Sequence, residues 1–441
     1  MIKKRFTAIL ILFVLLFLFL LPACQKATTT KSDNDDLVLS KDGTFKILYL
    51  TDLHFINSQV TSKYVADDLS LRDEWAMTAV RDIVEKAGHI DLIVVTGDLV
   101  FTTSLVEFIT ETSDNLAAFK KATDFIDSFG IPWAFCFGNH DEEGNAANTS
   151  NKAKKLLASY LQSDNVKHCL FTEGPQEING CGNYLLNVYN EDGSVNNSLV
   201  FFDSGSYIKY YDESLKKEVG GIWNYEYVHD DQLDWYEGEI KKLSTEERTV
   251  PSIVFQHIPL PIYQEVLDAY IAKLNEIEML NETEKDWHDT INYQWVYGTE
   301  KTLDTEIGPI TYHGGVCNKE NQEVCHSFIG TYNGVEYDGG HEFEKILSLG
   351  STKYVFCGHD HRNTFSFTYK GVRLSYGMSI DYSAVGLLPP EIYPKQDIYN
   401  ETEQRGGTLI TLHKDSSVTV SQIPFTRNLY QEELEKRKVK R

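Results

Sequence analysis

Five times in this 441-residue chain an apolar run of strand length ends in residue types that bind metal ions. Asp52 and His54 follow Phe45–Thr51. Asp98 follows the run Asp91–Thr96, and Asn139 with His140 follows Ile131–Phe137. His257 ends Ser252–Gln256, and His359 and His361 follow Lys353–Cys357. The densest stretch is Gly138-Asn139-His140-Asp141: a neutral oxygen, a titratable ring and a carboxylate able to orient its neighbours. Singly, each has an ordinary explanation, since Asn and Asp favour the turns that follow strands and a histidine ahead of Ile258-Pro259 can rest in a loop. Together they point to one site, because α/β proteins gather functional groups just past the C-terminal ends of buried strands. Mixed His, Asp and Asn ligation suits Mn, Fe, Zn or Co. The lack of thiolates in the pattern speaks against a structural zinc site.

Elements that bring such strand ends together are legible in the same stretch. The first three strands alternate with helical patterns over Asp68–Lys86 and Asp114–Phe129, which argues for parallel strands joined by helices. Lys152–Leu161 and Asp230–Leu243 are further helices. Tyr184–Tyr189 and Leu199–Asp203 read as a hairpin around Glu191-Asp192-Gly193. Residues 260–345 form a long insertion able to cap the site. It holds a helix near Ile262–Leu280, the aromatic segment Trp287–Tyr297, which can pack a cap or stack on a substrate, and a loop from Cys317 to Cys325. Thr364–Tyr369, Val372–Tyr376, Thr408–His413 and Ser417–Ile423 read as antiparallel strands of a second sheet. The chain thus divides into a leader (1–23), a flexible polar tether (24–43), one domain (44–425) and a charged helical tail (426–441).

With 42% hydrophobic and 12% aromatic residues, the chain is globular material. Its 65 acids against 41 bases give a formal charge of −24. Such a surface repels polynucleotides and leaves a phosphate-bearing substrate dependent on cations held at the site. Small phosphorylated molecules are the expected substrates, with no nucleic-acid partner. At the N-terminus, Lys3, Lys4 and Arg5 precede the apolar run Phe6–Leu21, and Leu21-Pro22-Ala23-Cys24 follows. This arrangement resembles the lipobox of bacterial lipoproteins, with Cys24 as the lipidated residue and the extracytoplasmic face of the cell membrane as the location. An ordinary cleaved signal peptide, leading to secretion, and an uncleaved anchor helix are the alternatives. Exported proteins can form disulfides. Cys169 with Cys181, and Cys317 with Cys325, can close short loops, whereas Cys136 and Cys357 read as buried thiols.

The series Asp52-x-His54, Gly97-Asp98, Gly138-Asn139-His140-Asp141, His257 and Gly358-His359-Asp360-His361 resembles the motif set of the calcineurin-like metallophosphoesterases, complete and in order from Phe45 to Ile423. The resemblance implies an α/β fold of two mixed β-sheets packed as a sandwich and flanked by helices. It also implies one metal held by Asp52, His54, Asp98 and His361, and a second held by Asp98, Asn139, His257 and His359. His140 resembles the family's histidine that acts on the leaving group. The implied chemistry is hydrolysis of a phosphomonoester or phosphodiester by a hydroxide bridging two cations about 3.5–4 Å apart. Two departures stand out. Where protein phosphatases carry an aspartate and purple acid phosphatases a metal-bound tyrosine, this chain has Phe101. Where the purple enzymes usually have glycine, it has His54. Asp52-Leu53-His54-Phe55, Cys181-Gly182-Asn183-Tyr184 and Asp203-Ser204 resemble a branch related to the purple enzymes that lacks their tyrosine. Arg72 and Arg362, near the motifs, are candidate cations for the extra charge of a monoester. A binding protein that keeps the fold without catalysis is the alternative function.

Overall fold

Strands that are apolar along their whole length must be covered on both faces, and β3 (Leu92–Thr96) is buried at every residue. In the computed structural model it is flanked by two parallel neighbours, β2 (Thr44–Leu50) and β4 (Trp133–Cys136), with Leu48 opposite Ile93 and Val94 opposite Ala134. The structure describes residues 37–56, 71–101, 115–142, 150–212, 214–280, 300–315, 324, 326–361, 363–384 and 405–439. The leader with Cys24, the tether as far as residue 36, Trp287–Tyr297, Cys317, Cys325 and Arg362 lie outside the described residues. Among those described, no helix is long and apolar enough to cross a membrane.

Two antiparallel strands, β17 (Gly406–His413) and β18 (Val418–Pro424), complete a five-stranded sheet in the order β18-β17-β2-β3-β4. A nine-stranded sheet faces it. At its centre β6 (Val195–Phe201), β9 (Ser252–Phe255), β14 (Thr352–Cys357) and β16 (Val372–Tyr376) run parallel. The hairpin partner of β6 is β5 (Tyr184–Tyr189). Beyond it lies the two-residue β1 (Leu37–Val38). On the other side come β15 (Ser366–Tyr369), β11 (Gly308–Tyr312) and β10 (Lys301–Thr305). Aromatic rings join the sheets: Tyr49 of β2 packs against Phe255 of β9 and Phe356 of β14 at 5.7 and 5.4 Å.

Helices cover the outer faces because each carries one apolar stripe. In α1 (Arg72–Ala87) Trp75, Ala76, Ala79, Val80 and Ile83 are buried. These join the core with residues of α2 (Asn115–Asp127) and α3 (Ser150–Leu161). A second cluster joins the nine-stranded sheet to α4 (Asp230–Leu243), α5 (Ile262–Leu280) and α6 (His341–Leu349). Two ribbons, β7–β8 (Tyr207–Asp212, Lys217–Tyr225) and β12–β13 (Ile329–Tyr332, Val335–Asp338), stand apart from the sheets. The charged tail is helical as α7 (Leu429–Val439), anchored through buried Leu429.

Three expectations change. The four late strands do not form a sheet of their own: β15 and β16 extend the nine-stranded sheet, while β17 and β18 extend the one that begins with β2. The tether gives way to the fold at Leu37, since Leu37 and Leu39 are buried and β1 pairs in parallel with β5. Cys169 and Cys181 are not joined by a disulfide and are buried, as are Cys136 and Cys357. Cys169 is held in a bridge to Trp133, and Cys181 donates its backbone N–H to Asp203. Burial pushes the Cys181 thiol up to about 12, so it is not a thiolate at neutral pH.

Candidate metal centre

The parallel strands of both sheets end at one edge, and direct bonds stitch those ends together. Asp52, past β2, accepts the backbone N–H of His359, past β14, at 3.1 Å. Thr96, the last residue of β3, receives the Nδ1–H of His257, past β9, on its carbonyl at 2.7 Å. Asp98 accepts the backbone N–H of His140 at 2.8 Å. Asp141 is a brace, accepting the N–H groups of Leu99 and Gly138, both at 2.8 Å. The loops are packed too tightly for side chains at their glycines. A Cβ on Gly138 would overlap the Asp98 carboxylate, and one on Gly358 the Thr51 hydroxyl. Asp52, His54, Asp98 and His359 all take positive φ, at 51°, 51°, 47° and 75°. Such conformations cost roughly 1–3 kcal/mol each and cluster at functional sites.

The strained side chains converge. Asp52, His54, Asp98 and His361 each present one ligand atom within 4.8 Å of the others, and so do Asp98, His257 and His359. Asp98 belongs to both groups: its Oδ2 is 3.3 Å from His54 Nε2 and 3.1 Å from His257 Nε2. Asn139 joins the second group through its amide oxygen, 3.1 Å from His257 Nε2. Its amide nitrogen donates to the Tyr207 hydroxyl at 3.2 Å, which fixes that orientation. His359 Nδ1 is 3.3 Å from His257 Nε2, and its buried Nε2 has no hydrogen-bond partner. Side-chain ligand atoms of Asp98, Asn139, His257 and His359 therefore meet in one buried space, a set that suits a divalent cation once His257 has shed its proton.

The charges tell the same story from the metal-free side. Burial raises Asp52 to about 6. Burial also works against charge on Asp98, but His257 and His140 outweigh it and hold Asp98 well below the carboxylate range. His257 resists burial in turn, because Asp98 lifts it to about 9. His54 is likewise raised well above the ordinary imidazole range, by Asp381 and Asp98 against its burial. Burial, then the neighbouring His54, lowers His361 to about 3. Burial and His257 lower His359 as well. Two protonated imidazoles thus stand where cations would neutralise Asp98, while two others keep free lone pairs.

His140 belongs to neither group. Its Nε2 lies 3.9 Å from Asp98 Oδ2, and its side chain is partly open to solvent. Arg72 is 1% exposed and its Nη1 donates to the Tyr382 carbonyl at 2.5 Å, so its guanidinium is bonded within the core.

The calcineurin-like phosphoesterase family profile matches residues 45–282, more than half of the chain and four of the five motifs. The chain belongs to that family. Among curated relatives, "Probable inactive purple acid phosphatase 28" of Arabidopsis thaliana is 26% identical over 82% of this chain and 77% of its own length. "Phosphatase DCR2" of Saccharomyces cerevisiae is 28% identical over 50% of this chain and 36% of its own. A solved dimetal phosphatase from Danio rerio covers 86% of this chain and 99% of its own at 11% identity, with a TM-score of 0.42. The resemblance to a purple-acid-phosphatase-related branch agrees with the name of the Arabidopsis relative. The structure gives Asp203 a place beside this phosphoesterase centre: it follows β6, parallel neighbour of β9, and binds the buried Lys154 at 2.8 Å.

Two groups of residues at the centre escaped the motif reading. Asp381 lies beside His54 and His361. Tyr207 and Tyr225 of the β7–β8 ribbon flank the second ligand group, with Tyr225 at 4.1 Å from the His359 ring. The signal for Asp381 was present, since it is an acid a few residues past the apolar strand β16. Nothing local marks the tyrosines.

Proposed function

We propose that this chain is a dinuclear-metal hydrolase of small phosphomonoesters or phosphodiesters, lipid-anchored through Cys24 on the outer side of a bacterial cell membrane. The observation that carries the chemistry is Asp98 Oδ2, a buried oxygen shared by two ligand groups. Asp52, His54, Asp98 and His361 are assigned to one ion, and Asp98, Asn139, His257 and His359 to the other. A pair of divalent ions such as Mn, Fe or Zn, when bound, supplies an activated water and neutralises the phosphate oxygens. The remaining work belongs to the chain. The strained loops hold the ligands at fixed positions, and His140, outside both ligand groups yet beside Asp98, is placed to deliver a proton to the leaving oxygen. The anchor rests on the leader sequence. Globomycin-sensitive processing and loss of membrane attachment in Cys24→Ser test it.

The word "inactive" in the name of a plant relative favours a second reading, a ligand-binding protein that keeps the fold. The complete ligand set weighs against it. The deciding assay strips the protein of metal and reloads it in turn with Mn, Fe, Zn, Co and Mg. It then measures cleavage of p-nitrophenyl phosphate beside bis-p-nitrophenyl phosphate. Metal-dependent cleavage that disappears in Asp98→Asn supports the hydrolase. A folded protein that binds two ions and cleaves neither ester supports the binding reading.

A further inference from the structure

Histidines that bind metals are oriented by whatever holds their other ring nitrogen, and the two ligand groups differ in this respect. In the second group His257 gives its Nδ1–H to a neutral backbone carbonyl, that of Thr96. In the first group a single carboxylate serves both imidazoles. These are ion-pair contacts without hydrogen-bond geometry: Asp381 Oδ1 lies 2.9 Å from His54 Nδ1, and its Oδ2 lies 3.5 Å from His361 Nδ1. At His54 the contact uses the nitrogen distal to the chemistry, since His54 Nε2 faces Asp98, and the His54 and His361 rings meet edge to face at 4.7 Å. Asp381 is itself immobilised. It is 3% exposed, and Oδ1 also accepts the N–H groups of Ser383 and Ala384 at 2.8 Å. Its backbone carbonyl accepts from Arg405 Nε at 2.8 Å. The preceding residues are sewn to the five-stranded sheet, Ile380 N–H to the carbonyl of Thr51, just past β2, and Gly406 N–H of β17 to the Ser379 carbonyl.

We propose that Asp381 is a positioning residue that sets occupancy of one metal position only, the one formed by Asp52, His54, Asp98 and His361. Its carboxylate stands on the Nδ1 side of both imidazoles and holds the His54 ring with Nε2 towards Asp98. The other position, with no carboxylate behind its histidines among the described residues, keeps its affinity when Asp381 is changed. The proposal rests on the two-metal reading given above.

The test is metal binding followed by calorimetry and by metal analysis after dialysis, with Mn²⁺ or Zn²⁺ alone. Asp381→Asn keeps the oxygen that accepts from Ser383 and Ala384 but removes the charge. The expected result is two ions per wild-type chain. In the variant, one ion binds with unchanged affinity and the other about 10–100-fold more weakly, and excess metal restores the second ion. Asp381→Glu, which restores the charge, recovers part of the loss. Two ions of unchanged affinity in Asp381→Asn overturn the proposal, and so does equal weakening of both. Failure of wild-type protein to bind two ions would instead overturn the two-metal reading. Melting of the metal-free variant at the wild-type temperature shows that the effect is not unfolding.

Discussion

Phe101 stands edge-on to His140, with ring centroids 4.8 Å apart, and its ring also lies 5.1 Å from that of His54. An apolar ring therefore fills the position at which purple acid phosphatases resemble this chain but carry a metal-bound tyrosine. The hydroxyl of Tyr207 contacts Asn139 through the amide nitrogen, while the amide oxygen faces His257. Iron-loaded protein is expected to lack an intense visible band. An absorption spectrum taken during anaerobic and aerobic iron loading checks this, and a strong tyrosinate-to-iron band would place a tyrosine on the metal.

His140 has no protein ligand role in either group, so its removal should spare metal binding and harm proton delivery. His140→Ala is expected to lower kcat by about 100-fold or more on an alkyl phosphate, whose alkoxide needs a proton. The loss on p-nitrophenyl phosphate, whose phenolate leaves unaided, should be much smaller. Equal losses on the two esters, or loss of a bound ion, would assign His140 to the ligands.

In the metal-free centre, His257 near 9 and His54 well above the usual imidazole range both carry protons at pH 7. Ligands must shed protons to bind metal. Loading two ions at pH 7 is expected to release about two protons. Titration calorimetry in buffers of different ionisation enthalpy measures that number. Acidification below pH 7 then weakens binding, by about tenfold per pH unit for each ion that displaces one proton. Binding that is independent of the buffer would mean that both imidazoles are already neutral.

Much of the centre was legible because the rule that reveals it is local. A parallel strand buried on both faces is a short apolar run, and the first polar residues after it lie at the sheet edge. Asp52, His54, Asp98, Asn139, His257, His359 and His361 all follow that rule, and the structure brings them together. What was not legible depends on pairing between distant segments. Nothing in Val418–Pro424 says that it joins the sheet of β2 and not that of β16. Leu37–Val38 is too short to read as a strand until β5 offers its edge. The same limit explains Arg72. Proximity in sequence to the first motif suggested a substrate cation, but helix phase turns it into the core.

Arg72 therefore tests differently from a substrate cation. Its guanidinium is buried and bonded to the Tyr382 carbonyl, so Arg72→Ala leaves a cavity and an unsatisfied acceptor. A loss of about 2–4 kcal/mol in chemical denaturation is expected. The ratio of monoester to diester turnover should not change, because any movement of the neighbouring Asp381 affects both esters alike. A selective loss of monoester cleavage would return Arg72 to the substrate.

Glu342 opens the first turn of α6 and is 3% exposed; one carboxyl oxygen accepts from Gln256 at 3.2 Å and the other has no hydrogen-bond partner. Burial raises its pKa from 4.5 to about 8. Below pH 4.5 the group is neutral in both folded and unfolded chains and costs nothing. As pH rises past 4.5 the unfolded chain ionises while the folded one keeps its proton, so unfolding becomes easier until about pH 8, where the folded group ionises as well. Glu342→Gln removes this penalty while keeping an amide able to pair with Gln256. The variant should match wild type near pH 5 and exceed it at pH 8 by on the order of 3 kcal/mol. Denaturant unfolding of both proteins at the two pH values measures the difference. A variant that is no more stable at pH 8 would show that the carboxylate is solvated or paired in the folded chain.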